Sequence, residues 1–156
     1  MMENQKLLSL LEKAIQKEQE SYDFYMDLYG RVDDLAARET LKFVAAEEQQ
    51  HKENLLKYRE GKYGPEALPL TAVVDYRIAE YLMRPDVEKN MQSKEAYLVA
   101  AHREKISHEF YLSLANLQPE GQVKDFFLRM AQEELRHKEK MEYLYANTAF
   151  PQTSGG

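Results

Sequence analysis

Two short stretches of this chain each pair a glutamate with a histidine three residues later, Glu48 with His51 and Glu134 with His137. A further glutamate precedes each pair, Glu18 before the first and Glu104 before the second. The second set follows the first at a constant offset of 86 residues. Ser21/Ser107, Phe24/Phe110, Tyr25/Tyr111, Leu28/Leu114, Ala45/Ala131, Glu47/Glu133, Lys52/Lys138 and Glu53/Glu139 are identical at the same offset. The chain therefore contains an internal repeat, and what it repeats is chemistry. Four carboxylates and two imidazoles are the donors that a two-metal site inside a helical bundle requires.

The spacing has a geometric reason. Residues three apart on a helix share a face. Glu48 and His51 can thus approach one cation and Glu134 and His137 another, while Glu18 and Glu104, each alone on its helix, can chelate or bridge. All six fall inside apolar stripes: Leu11, Ala14, Glu18, Tyr25 in one, and Met130, Glu134, His137, Met141 in another. A buried carboxylate without a partner is costly and tends to protonate. Two divalent ions would balance four carboxylates. A single Glu-x-x-His in a Glu-rich chain is more often a solvated face. The repeat and the apolar register argue otherwise here, and a core-histidine reading leaves the in-stripe glutamates unexplained.

Positioning these residues takes four long helices. The first is expected from about Asn4 to Tyr29 and the second, capped by Asp33 or Asp34, to about Glu60. Gly30 would terminate the first. GKYGPEALPL is a connection, followed by a short amphipathic helix from roughly Thr71 to Met83. Ser93 is expected to cap the third long helix, and Gln118–Gly121 makes a tight turn into the fourth. Residues 1–150 form the bundle, and 151–156 read as a mobile tail. Few residues join the helices within each pair, so each pair is an antiparallel hairpin. The long stretch from Gly61 to Gln92 lets the chain return along the bundle. The fold class is all-α: two antiparallel hairpins joined by a long crossover and related by an approximate twofold axis, the ferritin-like arrangement.

Composition restricts the chemistry. The chain has 156 residues, a net charge of -6 and no cysteine. The acidic balance argues against nucleic acid as a partner. Without thiolates, any metal must be held by oxygen and imidazole nitrogen. No apolar run approaches the roughly 20 residues of a membrane helix, and the charged N-terminus does not read as a secretory signal. A soluble cytoplasmic protein is the expectation.

Several other side chains invite a role. Tyr25 and Tyr111 lie seven residues after Glu18 and Glu104 on the same faces, with rings leaning back toward the site. They either hydrogen-bond a ligand carboxylate or simply pack in the core. His108 could reach the site but reads as edge packing, and His102 as solvated. Glu47 and Glu133, rotated about 100° from the ligand stripe, read as flanking charges. The methionines of the fourth helix read as gap fillers.

The segments ESYDFYMDL (with Glu18 just upstream), EEQQHKENL, EKISHEFYLSL and EELRHKEKM resemble the rubrerythrin branch of the ferritin-like superfamily. The resemblance covers nearly the whole chain. It implies metal ligands at Glu18, Glu48, His51, Glu104, Glu134 and His137, two iron ions as cofactor, and chemistry on peroxide or dioxygen; manganese accepts the same donors. Two departures stand out. Rubrerythrins carry a rubredoxin domain whose cysteine-bound iron delivers electrons, so this chain would need a separate electron-donor protein. They also carry an extra glutamate three residues after the third-helix ligand, where this chain has Ser107. The resulting expectation is a di-iron oxidoreductase, assembled as a homodimer. The alternatives are a ferroxidase that handles iron, and a structural bundle stapled by metal.

Overall fold

The apolar spacing of Leu11, Ala14, Tyr25 and Leu28 runs through one unbroken helix, α1 (Met2–Tyr29). The computed structural model describes residues 2–61 and 73–150. The expected connection from Lys62 to Leu70, the start of the amphipathic piece at Thr71 and the tail at 151–156 lie outside them. Gly30 follows α1 but keeps an ordinary backbone conformation, so the helix does not end in the left-handed cap that a glycine suggests.

Helix α2 (Leu35–Arg59) starts at Asp34, whose carboxylate accepts the Ala37 amide at 2.9 Å. It satisfies one of the orphan amides of the first turn. At the far end Gly61 adopts φ 75°, a conformation that costs other residues. Helix α4 (Ser93–Asn116) is capped by Gln92, not Ser93. Gln92 and Glu95 form a reciprocal capping box, which shifts the cap one residue earlier than expected. Helix α5 (Gln122–Ala149) begins after Gly121, whose φ of 150° suits glycine.

Helix α1 packs on α2, and α4 on α5. Each pair is a hairpin, and among its described residues the crossover between them holds one turn of helix, α3 (Ile78–Tyr81). The longer amphipathic helix expected here does not form from residue 73 onward. Its amides are taken by side chains instead of by carbonyls one turn back. Val74 N–H donates to Glu139, Arg77 N–H to Asp75, and Ala79 N–H to Glu142.

One buried lysine organises this seam. Lys138, 1 % exposed, sets its ammonium 2.6 Å from Asp75, 2.9 Å from Glu80 and 3.1 Å from Glu142. Those three acids also lie close enough to hold a metal, but the lysine already supplies the cation. The crossover then reaches α4, where His102 bonds the Leu82 carbonyl at 2.8 Å. Its last residues seat on the α1–α2 turn through Met91 N–H to the Arg31 carbonyl, 2.8 Å. His102, still partly exposed, is thus also a tether. Replacing Lys138 by alanine would leave the buried Glu142 carboxylate without its cation, an expected loss of about 3 kcal/mol in urea unfolding.

Two apolar clusters fill the bundle. One combines the C-terminal half of α1 with the N-terminal halves of α2 and α4, around Tyr25, Leu41, Val99 and Met141. The other combines Leu11, Leu55, Tyr111, Phe127 and Met130. Met130 and Met141 thus pack as core. The repeated glutamates and histidines sit between the clusters on every long helix, so a polar layer crosses the middle of the bundle. No helix among the described residues is long and apolar enough to cross a membrane.

Candidate metal centre

Glu18 on α1, Glu48 and His51 on α2, Glu104 on α4, and Glu134 and His137 on α5 are all buried, none more than 4 % exposed. Their side chains converge. His51 Nδ1 lies 3.4 Å from Glu134 Oε1 and 3.8 Å from Glu18 Oε2. His137 Nδ1 lies 2.7 Å from Glu48 Oε1 and 3.6 Å from Glu104 Oε1. The two imidazoles face each other with centroids 5.4 Å apart and planes 16° from parallel.

Donor atoms within 4.8 Å of one another fall into two groups, Glu18, Glu48, His51, Glu134 and Glu48, Glu104, Glu134, His137. Both groups contain Glu48 and Glu134. Those two thus lie within reach of both groups, whereas Glu18 and Glu104 each belong to one. Each histidine also lies against the other hairpin's Glu-x-x-His glutamate. Spacing along one helix could not reveal this, because it depends on how the hairpins are rotated about each other.

The donor set fits a pair of cations. Both oxygens of Glu48 and of Glu134, Oε2 of Glu18 and of Glu104, and Nδ1 of both histidines are buried without a hydrogen bond. The 2.7 Å approach of His137 to Glu48 is an ion-pair contact that lacks hydrogen-bond geometry. Buried polar atoms are almost always satisfied, and eight orphans in one layer require a partner. Oxygen and imidazole donors suit iron or manganese.

The remaining oxygens of the lone glutamates are held. Tyr25 donates to Glu104 Oε1 and Tyr111 to Glu18 Oε1, each at 2.5 Å. Each tyrosine thus bonds a glutamate of the other hairpin. Burial, then the adjacent carboxylate, pushes both phenols well above their usual range.

The carboxyls themselves do not titrate alike. Burial, then Glu134, raises Glu48 well above the ordinary carboxylate range and Glu104 to about 8. Glu134 is drawn well below that range: burial opposes this, but His137 and His51 beside it outweigh burial. Burial would lower His51, yet Glu134 and Glu18 hold it at about 10, and His137 is raised in the same way by Glu104. In the metal-free protein, protons and imidazolium charge occupy the role of the cations.

Glu47 is the residue that helical spacing misplaced. His137 Nε2 approaches Glu47 Oε2 at 3.2 Å, and Arg136 also bonds that oxygen. Burial would raise Glu47, but His137 and Arg136 outweigh it and hold it at about 2. Glu47 stands off the Glu48–His51 face of its helix and instead accepts from the outer edge of an imidazole on α5. Its repetition as Glu133 was the available signal. Glu133 is buried too, but accepts from Arg136 Nε at 2.7 Å. Among the described residues, no carboxylate bonds His51 Nε2. Among the described residues His108 bonds none of the six; its Nδ1 meets the Ala131 carbonyl at 2.7 Å.

Outside the layer, Lys17 and Arg103 flank Glu18 and Glu104. Burial and the Arg103 guanidinium push the Lys17 ammonium below its usual range, against the pull of Glu134 and Glu18. The model of the family described as Rubrerythrin matches residues 9–145. No curated protein and no solved structure matches the chain.

Proposed function

The chain belongs to the rubrerythrin family, and from that premise we propose that it is a di-iron oxidoreductase that reduces hydrogen peroxide or dioxygen with electrons from a separate donor protein. The observation that supports this most is the set of eight orphaned donor atoms on six side chains in one buried layer. His51, Glu18, Glu48 and Glu134 would hold one ion. His137 and Glu104, with the same Glu48 and Glu134, would hold the other. Bound there, two iron ions would supply two electrons and a template for the oxidant.

The protein's part is positioning, proton placement and exclusion of water. Tyr25 and Tyr111 keep their protons, because their phenols are shifted upward, and so keep donating to Glu104 and Glu18. Each donated hydrogen bond fixes one oxygen and leaves the other free toward the layer. Glu47 accepts from His137 Nε2, which keeps the proton on that nitrogen and leaves Nδ1 as the donor atom. The apolar clusters on either side keep the layer dry, which strengthens every electrostatic contact within it.

The test is metal analysis of protein purified without added metal, followed by optical spectra before and after peroxide. About two ions per chain are expected, by analogy with two-metal sites, with iron predominant and a spectrum that changes on oxidation. His51→Ala and His137→Ala are each expected to lose most of the metal, while His102→Ala retains it. Equal metal content in all three variants would defeat the assignment. Metal retained without any redox response would favour the structural reading.

A further inference from the structure

The two histidines of the layer are repeat partners, but their outer edges are not held alike. His137 Nε2 lies 3.2 Å from Glu47 Oε2, and Arg136 bonds the same oxygen. Glu133 is the repeat partner of Glu47, so it is the residue that would brace His51 if the two halves matched. Instead it accepts from Arg136 Nε on its own helix at 2.7 Å. The break in symmetry traces to one position. Arg136 stands 86 residues after Gln50, and Gln50 donates to Asn54 at 3.0 Å. A guanidinium has donors enough to hold two carboxylates at once. Arg136 thus seats Glu47 beside His137 and engages Glu133 as well.

The inner edges differ in the same direction. His137 Nδ1 lies 2.7, 3.6 and 3.8 Å from oxygens of Glu48, Glu104 and Glu134. His51 Nδ1 lies 3.4 and 3.8 Å from oxygens of Glu134 and Glu18. The His137 half is the more closely gathered. A carboxylate on the outer nitrogen fixes the orientation of the ring and makes the inner nitrogen a stronger donor. Donors already held in place lose less freedom when a ligand arrives. Two cations that draw on Glu48 and Glu134 in common repel each other, so filling one half weakens the other.

We propose that the layer loads in order, the His137 half before the His51 half, and that Glu47, seated by Arg136, is the positioning residue that sets this order. The proposal rests on the metal reading above and adds that the two ions are not equivalent. Once the first is bound, the His51 half remains open to a different divalent ion. Protein with two unlike metals in fixed places is therefore accessible.

Metal-free protein titrated with zinc tests this, with the histidine ring nitrogens followed by nitrogen-15 NMR and bound zinc counted separately. Up to about one equivalent, the His137 signals should move to metal-bound positions while those of His51 stay; His51 should follow toward about two equivalents. Glu47→Ala should weaken the first zinc about tenfold or more, the cost of losing the partner behind a metal ligand, and make the two histidines respond together. Glu47→Gln, whose amide oxygen can still accept from both His137 and Arg136, should restore the order. Arg136→Gln, which gives the second copy the first copy's residue, should narrow the gap between the two affinities. Glu133→Gln should leave the order unchanged. The wild-type titration needs no variant, so the order is read even where a substitution unfolds the chain. Zinc bound in full, with both histidines shifting together or His51 first, would overturn this proposal alone, as would an order that persists in Glu47→Ala. Failure to bind zinc would overturn the metal reading and this proposal with it.

Discussion

Reduced, iron-loaded protein mixed with excess hydrogen peroxide is expected to consume about one equivalent per chain and then stop. Electron count sets this limit. Reducing one peroxide to two waters takes two electrons and two protons, and a pair of one-electron ions holds two electrons. Nothing else among the chain's side chains replaces them. The chain has no cysteine, hence no thiolate-bound iron of the kind that refills the centre in rubrerythrins with a rubredoxin domain. Adding a small reduced iron protein as donor should convert the single burst into steady consumption. Stopped-flow absorbance with a peroxide assay measures both phases. Continuous peroxide loss without any donor would mean that peroxide serves as both oxidant and reductant, and the proposed donor would be unnecessary.

Chelated protein is expected to melt about 10 °C or more below the loaded protein, since tight ligands stabilise by mass action and each kcal/mol moves a domain of this size by a few degrees. The gap should widen between pH 6 and pH 8. Folded Glu104 titrates at about 8, against an ordinary 4.5, so the metal-free fold holds a proton there that the unfolded chain has released. Folded His51 titrates at about 10, against 6.5, and does the same over a higher range. A fold that binds more protons than its unfolded chain loses stability as pH rises. Both groups thus weaken the metal-free protein from pH 6 to pH 8. Glu47, held at about 2, acts oppositely but only in acid, where its contribution is lost as pH falls below the carboxylate range. Metal competes with those same protons, so the loaded form should not share the decline. Calorimetry at the two pH values, with and without chelator, reads the difference. Identical melting with metal shown to be absent would place the cations outside the buried layer.

The helices and the converging layer were legible because both obey the helical period. Glu18, Glu48, His51, Glu104, Glu134 and His137 interrupt apolar stripes, and a stripe that faces the core brings its exceptions together. Relations between helices were less legible. Glu48 and Glu134 share both donor groups because of how the hairpins rotate against each other, which no single stripe encodes. Glu47 looked peripheral because its partner, His137, approaches from α5. The crossover helix shrank to Ile78–Tyr81 because Glu139 and Glu142 take its amides, and those acids lie far away in sequence. His102 looked solvated for the same reason: its partner is a carbonyl of the crossover.

The reciprocal contacts between the hairpins have a further consequence. Tyr25 of the first serves Glu104 of the second, and Tyr111 of the second serves Glu18 of the first. That exchange is the signature of an isologous interface, the kind that joins identical subunits. In a homodimer every substitution is made twice, and the two halves of a shared site must stay equivalent. Covalent fusion of the two copies removes that constraint. Here Arg136 stands where the first copy has Gln50, which turns to Asn54 instead of reaching a ligand's neighbour. The two copies therefore differ: Glu47 braces one imidazole of the pair, and among the described residues no carboxylate braces its twin in that way.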